Sequence, residues 1–159
     1  MRTLIASIST TIINMQLHPE LSSRFGDTLS EQRELFKQAL FQCQTASRQF
    51  SPGDIMLQQG QNVRELYVVS VGKVAMYTSA HNGRRFQLGE LNCDQHIFGE
   101  IEFFTKLPCQ WTVMAEDQME AEVICAAKLQ QCIVTQPQLA LFFASALAWD
   151  YQDSMAIYT

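Results

Sequence analysis

A change of period limits this chain more than any other feature. From Ser51 to Ala126 the apolar residues come in short runs, broken by glycine-bearing turns at spacings of about 8–12 residues. A strand expected over 55–57 is followed by Gln59-Gly60-Gln61. One over 66–71 leads into Gly72-Lys73. A third, over 74–77, precedes His81-Asn82-Gly83, where Asn-Gly can supply the positive φ angles of a two-residue hairpin turn. Strands over 86–91, 111–115 and 121–126 complete the set. In the last, Ala121, Val123 and Cys125 alternate with Glu120 and Glu122, giving one buried and one wet face. Such a series predicts a mainly β sandwich or barrel. Strand and helix patterns do not alternate, which argues against a parallel-sheet enzyme fold.

Helical periodicity brackets this region. Thr28 and Glu31 have capping-box spacing, and Leu35, Phe36, Ala39, Leu40 and Cys43 mark one apolar face. A helix over 31–43 is expected, ending before the turn Ser51-Pro52-Gly53-Asp54. At the other end Pro137 can open a helix, because its missing N–H has no intrahelical partner there. Leu139, Phe142, Phe143, Ala146 and Leu147 make one face of it. A second face carries Leu141, Ala148 and Met155 at heptad spacing, completed by Ala144, Tyr151 and Tyr158. Packing on the β region accounts for the first face, and a partner helix in a homodimer accounts for the second. The pattern is still running at Thr159, so this helix is expected to continue. Residues 1–49 thus read as an N-terminal helical segment, 50–136 as the β unit, and 137–159 as the start of a C-terminal helix.

Composition excludes several functions. The net charge of −5 is unevenly spread: residues 106–159 hold only Lys106 and Lys128 against six acidic groups. That surface offers a phosphate backbone nothing, so DNA contact would need a domain absent from this chain. The stretch from Thr3 to Leu17 is shorter than a membrane span of roughly 20 residues and is rich in Ser and Thr. Arg2 is followed by no convincing cleavage site for a signal peptide. Leu4, Ile8, Ile12 and Met15 fall at helical spacing, which suggests a helix or docking arm. The five cysteines (Cys43, Cys93, Cys109, Cys125 and Cys132) form no Cys-x-x-Cys, and His18, His81 and His96 stand singly. This predicts no metal site and no disulfide framework, but mostly buried thiols in a cytoplasmic protein. Neither a Gly-x-Ser-x-Gly nor a Gly-Lys-Ser/Thr loop occurs. Glu100 and Glu102 would share one face of a strand, but no His, Ser or Cys motif stands beside them for acid–base work. An enzyme is not expected.

From Phe50 to about Ala146 the residues resemble the cyclic-nucleotide-binding domain of the Crp/Fnr family of bacterial transcription regulators. Phe50-Ser-Pro-Gly-Asp-Ile is similar to the turn into that family's first strand, and Leu57-Gln-Gln-Gly60 to the segment after it. Leu66 to Val74, with Gly72-Lys73, looks like its strand–Gly–strand, and Asn82-Gly83-Arg84 like its hairpin. Phe98-Gly99-Glu100-Ile101 resembles the opening of its phosphate-binding cassette. The resemblance implies a double-stranded β-roll (jelly roll) with flanking N-terminal and C-terminal helices, the last serving dimerisation and leading to a helix-turn-helix domain.

The cassette departs from the family where charge matters. The family places an Arg in Pro-Arg-Ser-Ala-x-Val to meet the cyclic phosphate. Here the stretch reads Pro108-Cys109-Gln110-Trp111-Thr112-Val113. Losing a bidentate guanidinium forfeits a charged hydrogen bond worth roughly 1.5–3 kcal/mol. Trp111 also fills volume a nucleotide needs. Glu100, which the family uses on the ribose hydroxyl, is kept, and Lys106 is the only cation nearby in sequence. The expectation is a sensor domain of a Crp/Fnr-like regulator that does not take cAMP in the usual way. Its pocket is either re-aimed at another effector or closed by Trp111, Phe103 and Phe104. The alternatives are a stand-alone interaction module with a vestigial pocket, and a redox sensor using Cys109.

Overall fold

The computed structural model describes the backbone of residues 15–16 and 24–156 and the side chains of residues 24–152. In chain order the elements are β1 (Met15–Gln16), α1 (Gly26–Glu31), α2 (Arg33–Cys43), β2 (Gln44–Phe50), β3 (Ile55–Leu57), β4 (Glu65–Ser79), β5 (Arg85–Phe98), α3 (Glu100–Thr105), β6 (Thr112–Ala115), β7 (Met119–Cys125), α4 (Ala126–Thr135) and α5 (Leu139–Ala156). All strand pairs are antiparallel.

The fold turns on β4. One edge pairs with β5 from Tyr67 to Ser79. The other edge changes partner: Glu65–Val68 pairs with β7, and Val74–Tyr77 pairs with β6. A strand that serves two partners in this way curls the sheet into a roll. The change of partner falls around Gly72, which has φ 141°. There β4 bends without ending, so the two strands expected over 66–71 and 74–77 are one. Both faces of its first half are buried. Tyr67 and Val69 point into the roll, while Leu66 and Val68 point out to the helices.

Two apolar cores result. The inner one contains Phe50, Leu57, Met76, Phe98, Val113 and Met119. The outer one lies between the roll and the helices and contains Leu29, Phe36, Leu40, Ile97, Leu129, Phe142 and Phe143. Phe36 stacks on Phe142 at 4.3 Å between ring centres and meets Phe143 edge-on at 5.5 Å, so α2 and α5 are joined through aromatic rings.

Several local expectations are corrected. Thr28 lies inside α1 rather than capping α2, and the cap of α2, Gln32, makes no side-chain cap bond. Gln44–Phe50 is a strand, not the end of a helical segment. It is polar and exposed up to Phe50, and its pairing with β7 makes it a strand rather than any period of its own. The loop between β4 and β5 holds Ala80–Arg84 instead of a two-residue turn. Gly83 has φ 82° while Asn82 stays at negative φ and accepts the Arg84 N–H at 3.0 Å. β5 runs on to Phe98, through Asn92, Asp94 and Gln95, because β4 pairs with it all along. The helix α4 was not expected, although Ala126, Leu129, Cys132 and Ile133 carry its period. Met15 lies in a short strand paired to Ile97 rather than on a helix. Leu4, Ile8 and Ile12 fall outside the described residues. Among the described residues, no single helix is long and apolar enough to cross a membrane.

Candidate functional site

Phe98 ends β5 wholly buried in the inner core, and the chain then turns at Gly99, φ 94°. A Cβ there would lie 3.3 Å from Val63 Cγ1 and 3.5 Å from the Glu65 carbonyl oxygen, so the turn sits directly on the start of β4. Glu100 opens α3 with Ile101, half-buried, behind it. Glu100 and Glu102 are therefore on a helix and not on a strand.

The second half of the cassette is braced from across the roll. The Cys109 N–H donates to the Gln61 carbonyl at 2.9 Å, and the Gly60 N–H donates to the Cys109 carbonyl at 2.7 Å. Thr112 Oγ1 accepts the Gln59 N–H at 3.0 Å. Cys109 and Thr112 are buried, Gln110 is exposed, and Trp111 is half-buried against the inner core. Phe103 and Phe104, which one of the two alternatives put beside Trp111 as a plug, turn the other way. The Phe104 ring lies 5.3 Å from Phe143 of α5, and Phe103 packs on the outer core.

The electrostatics of the site are acidic. The Glu102 carboxyl lies close enough to the Cys109 thiol to act on it electrostatically, so the position that resembles the family's arginine has an acid for a neighbour. Burial, then the nearby Glu102, push that thiol up to about 12, which keeps it protonated and slows its oxidation. Burial also raises the Glu102 carboxyl. Lys106 caps α3 at φ 64°, with its N–H on the Glu102 carbonyl, and is exposed.

Glu100 is the most unusual group. It is fully buried, and neither carboxylate oxygen finds a hydrogen-bond partner in another described residue. Burial drives its pKa well above the carboxylate range, and the neighbouring Glu102 and Asp150 add to the rise. Asp150 belongs to α5 and is itself buried, so the cassette and the C-terminal helix meet through acidic groups distant in sequence. Nothing in the local pattern around either residue signals that meeting.

The raised pKa has a measurable consequence. The folded chain holds the Glu100 proton more tightly than the unfolded chain does. The associated stability is present below the ordinary value of 4.5 and is lost as pH rises through the raised folded value. Glu100→Gln removes that loss. The variant is expected to be more stable than the wild type at pH 8 by about 1–3 kcal/mol, with the advantage shrinking towards pH 4. Urea unfolding at both pH values checks it, and equal pH slopes for the two proteins would contradict it.

Clefts of about 260 and 350 Å³ open elsewhere. One lies over Phe36, Leu40 and Phe142, and the other is bordered by Gln49, Val71 and Glu120. Neither includes a cassette residue. Among the described residues, no three His, Cys, Asp or Glu side chains converge as a metal site would require. On α5, Ala144, Ala148 and Tyr151 are exposed and Leu141 is half-buried. Met155 lies on the helix beyond the described side chains, and Tyr158 lies outside the described residues.

A curled antiparallel roll with a cassette helix inserted between two of its strands, and helices packed on one side, defines a β-roll domain. Residues 47–136, more than half of the chain, match the cyclic nucleotide-binding domain, and the chain belongs to that family. No curated protein matches the sequence. Solved structures share the fold. The catabolite activator protein of Thermus thermophilus is 20% identical with a TM-score of 0.64, over 83% of this chain and 59% of that one. The N-terminal domain of a transcriptional regulator from Streptomyces coelicolor A3(2) is 21% identical with a TM-score of 0.59, over 79% of this chain and 83% of that one. The c-di-GMP responsive global regulator CLP of Xanthomonas campestris is 17% identical with a TM-score of 0.65, over 78% of this chain and 60% of that one. The chain thus spans less than two thirds of the length of the Thermus and Xanthomonas proteins.

Proposed function

We propose that this chain is the non-catalytic, cytoplasmic sensor domain of a Crp/Fnr-like transcription regulator, and that it does not respond to cAMP. The observation that carries the reading is the buried Cys109 at the position that resembles the family's arginine, with an acidic side chain, Glu102, for a neighbour. A cyclic phosphate entering the cassette would meet a buried, protonated thiol beside an acidic side chain instead of a guanidinium, so its charge would find no cation there. The route for a signal is retained. Glu100 with Asp150, and Phe104 with Phe143, couple the cassette helix α3 to α5, so an effector that shifts α3 would shift α5. Thermal melting with cAMP at millimolar concentration tests it. A micromolar ligand at that concentration would stabilise the fold by about 4 kcal/mol. No shift is expected, and a rise of several degrees would overturn the reading.

Dimerisation through α5 is part of the same proposal. The helix has charged groups only at Asp150 and Asp153, and its exposed side presents Ala144 and Ala148, small enough to let a second helix approach closely. In sedimentation equilibrium the chain is expected to be dimeric. Ala148→Arg, which puts a charge in that seam, is expected to weaken association at least tenfold (about 1.4 kcal/mol) without changing the melting temperature of the isolated subunit. A monomeric wild type would contradict it. DNA contact would belong to a helix-turn-helix domain outside this chain.

A further inference from the structure

The thiols on the helical side of the roll stand apart from the cassette. Cys43 closes α2 fully buried, and Cys132 lies near the end of α4, half-buried. Although 89 residues separate them in sequence, their sulfur atoms are 3.5 Å apart. Reaching the disulfide length of about 2.05 Å takes a closure of about 1.5 Å shared between the two side chains. Cys125 is close enough to Cys43 to influence it, and Lys128, one turn before Cys132, brings a positive charge to the same spot.

We propose that Cys43 and Cys132 are an oxidative modification site, which hydrogen peroxide or a related hydroperoxide converts to an intramolecular disulfide tying α2 to α4. Cys132, the more exposed, reacts first. Its thiolate attacks one peroxide oxygen, the O–O bond breaks, and a sulfenic acid forms as hydroxide leaves and is protonated to water. Cys43 then attacks the sulfenic sulfur. The S–S bond forms, the S–O bond breaks, and the hydroxyl departs as a second water with the Cys43 proton. Two thiols lose two electrons and two protons in all, and one peroxide is reduced to two waters. Burial, reinforced by the hydrogen bond to Cys132, pushes the Cys43 thiol up to about 12, so it cannot begin the sequence. As the resolving group it is held 3.5 Å from Cys132 and gives up its proton to the departing hydroxyl as it attacks.

The link would act on the C-terminal helix. The chain passes from α4 to α5 through a tight turn in which the Gln136 N–H donates to the Cys132 carbonyl at 2.8 Å. The Phe36 and Phe142 rings already hold α2 to α5. A disulfide closes the third side of that triangle and fixes the root of α5.

Peptide mapping of the full chain decides the matter. After exposure to hydrogen peroxide, alkylation of free thiols and digestion, the Cys43 and Cys132 peptides are expected joined, lighter by two hydrogen atoms. The melting temperature should rise by about 5–10 °C and return on adding dithiothreitol. Cys109→Ser and Cys125→Ser should retain the link, and Cys132→Ser should lose it. Both cysteines alkylated after peroxide, a link from Cys43 to Cys125, or a disulfide between two chains would each overturn the proposal. If Cys132→Ser does not fold, the map of the unmutated chain still decides.

Discussion

Phe36→Ala is expected to cost about 3–5 kcal/mol of stability and to lower the melting temperature by about 10 °C or more. Phe36 is 4% exposed, and its ring touches both Phe142 and Phe143. Those rings join α2 to α5 within the outer core. Alanine leaves a cavity between the two helices where the Phe36 ring stacked on Phe142. Because Phe36 belongs to the outer core, the inner core of the roll should survive. Near-ultraviolet circular dichroism and urea unfolding should therefore show early loosening of α5 and a lower midpoint. A loss below about 1 kcal/mol would mean that the helices are held by other contacts.

The second large effect is in the backbone. Gly72 has φ 141°, and a Cβ placed on it would lie 3.0 Å from Met119 Cβ and 3.1 Å from its sulfur. Gly72→Ala thus combines a backbone conformation that L-residues avoid with an overlap at the point where β4 passes from β7 to β6. The expected loss is about 2–4 kcal/mol, measured by urea unfolding. Truncating Met119 in the same chain removes the sulfur but not the Cβ, so it should not restore stability. Full rescue by Met119→Ala would show that the side chain alone, and not the backbone, sets the requirement for glycine.

Gly72 also shows what local sequence hides. Glycine followed by lysine between two apolar runs has the composition of a turn, and only the pairing of Lys73 with Asn92 and Val74 with Leu91 reveals a continuous strand. The strand β7 was legible because its burial follows its own alternation from Met119 to Val123. Glu120 and Glu122 are exposed between buried Met119, Ala121 and Val123, as the sequence indicates. Gln44–Phe50 was not legible, since its conformation is set by β7 and by bonds such as Gln49 Nε2 to Glu120 at 2.8 Å. The two halves of the cassette could each be found as motifs. The electrostatic neighbours that give it its character, Glu102 for Cys109 and Asp150 for Glu100, are residues that no spacing rule relates. Phe103 and Phe104 illustrate the same limit: once Glu100–Thr105 is helical, their rings fall on the side of α5 and not beside Trp111.

The proposed loss of cAMP response rests on an intact β-roll whose cassette holds Cys109 where the resemblance puts an arginine. Calorimetric titration with cAMP tests it most directly, using the wild type beside a Cys109→Arg, Gln110→Ser, Trp111→Ala variant. The account predicts no binding heat from the wild type and measurable binding by the variant. Micromolar binding by the wild type would contradict it, because Glu100 and backbone donors would then suffice to hold the nucleotide without an arginine.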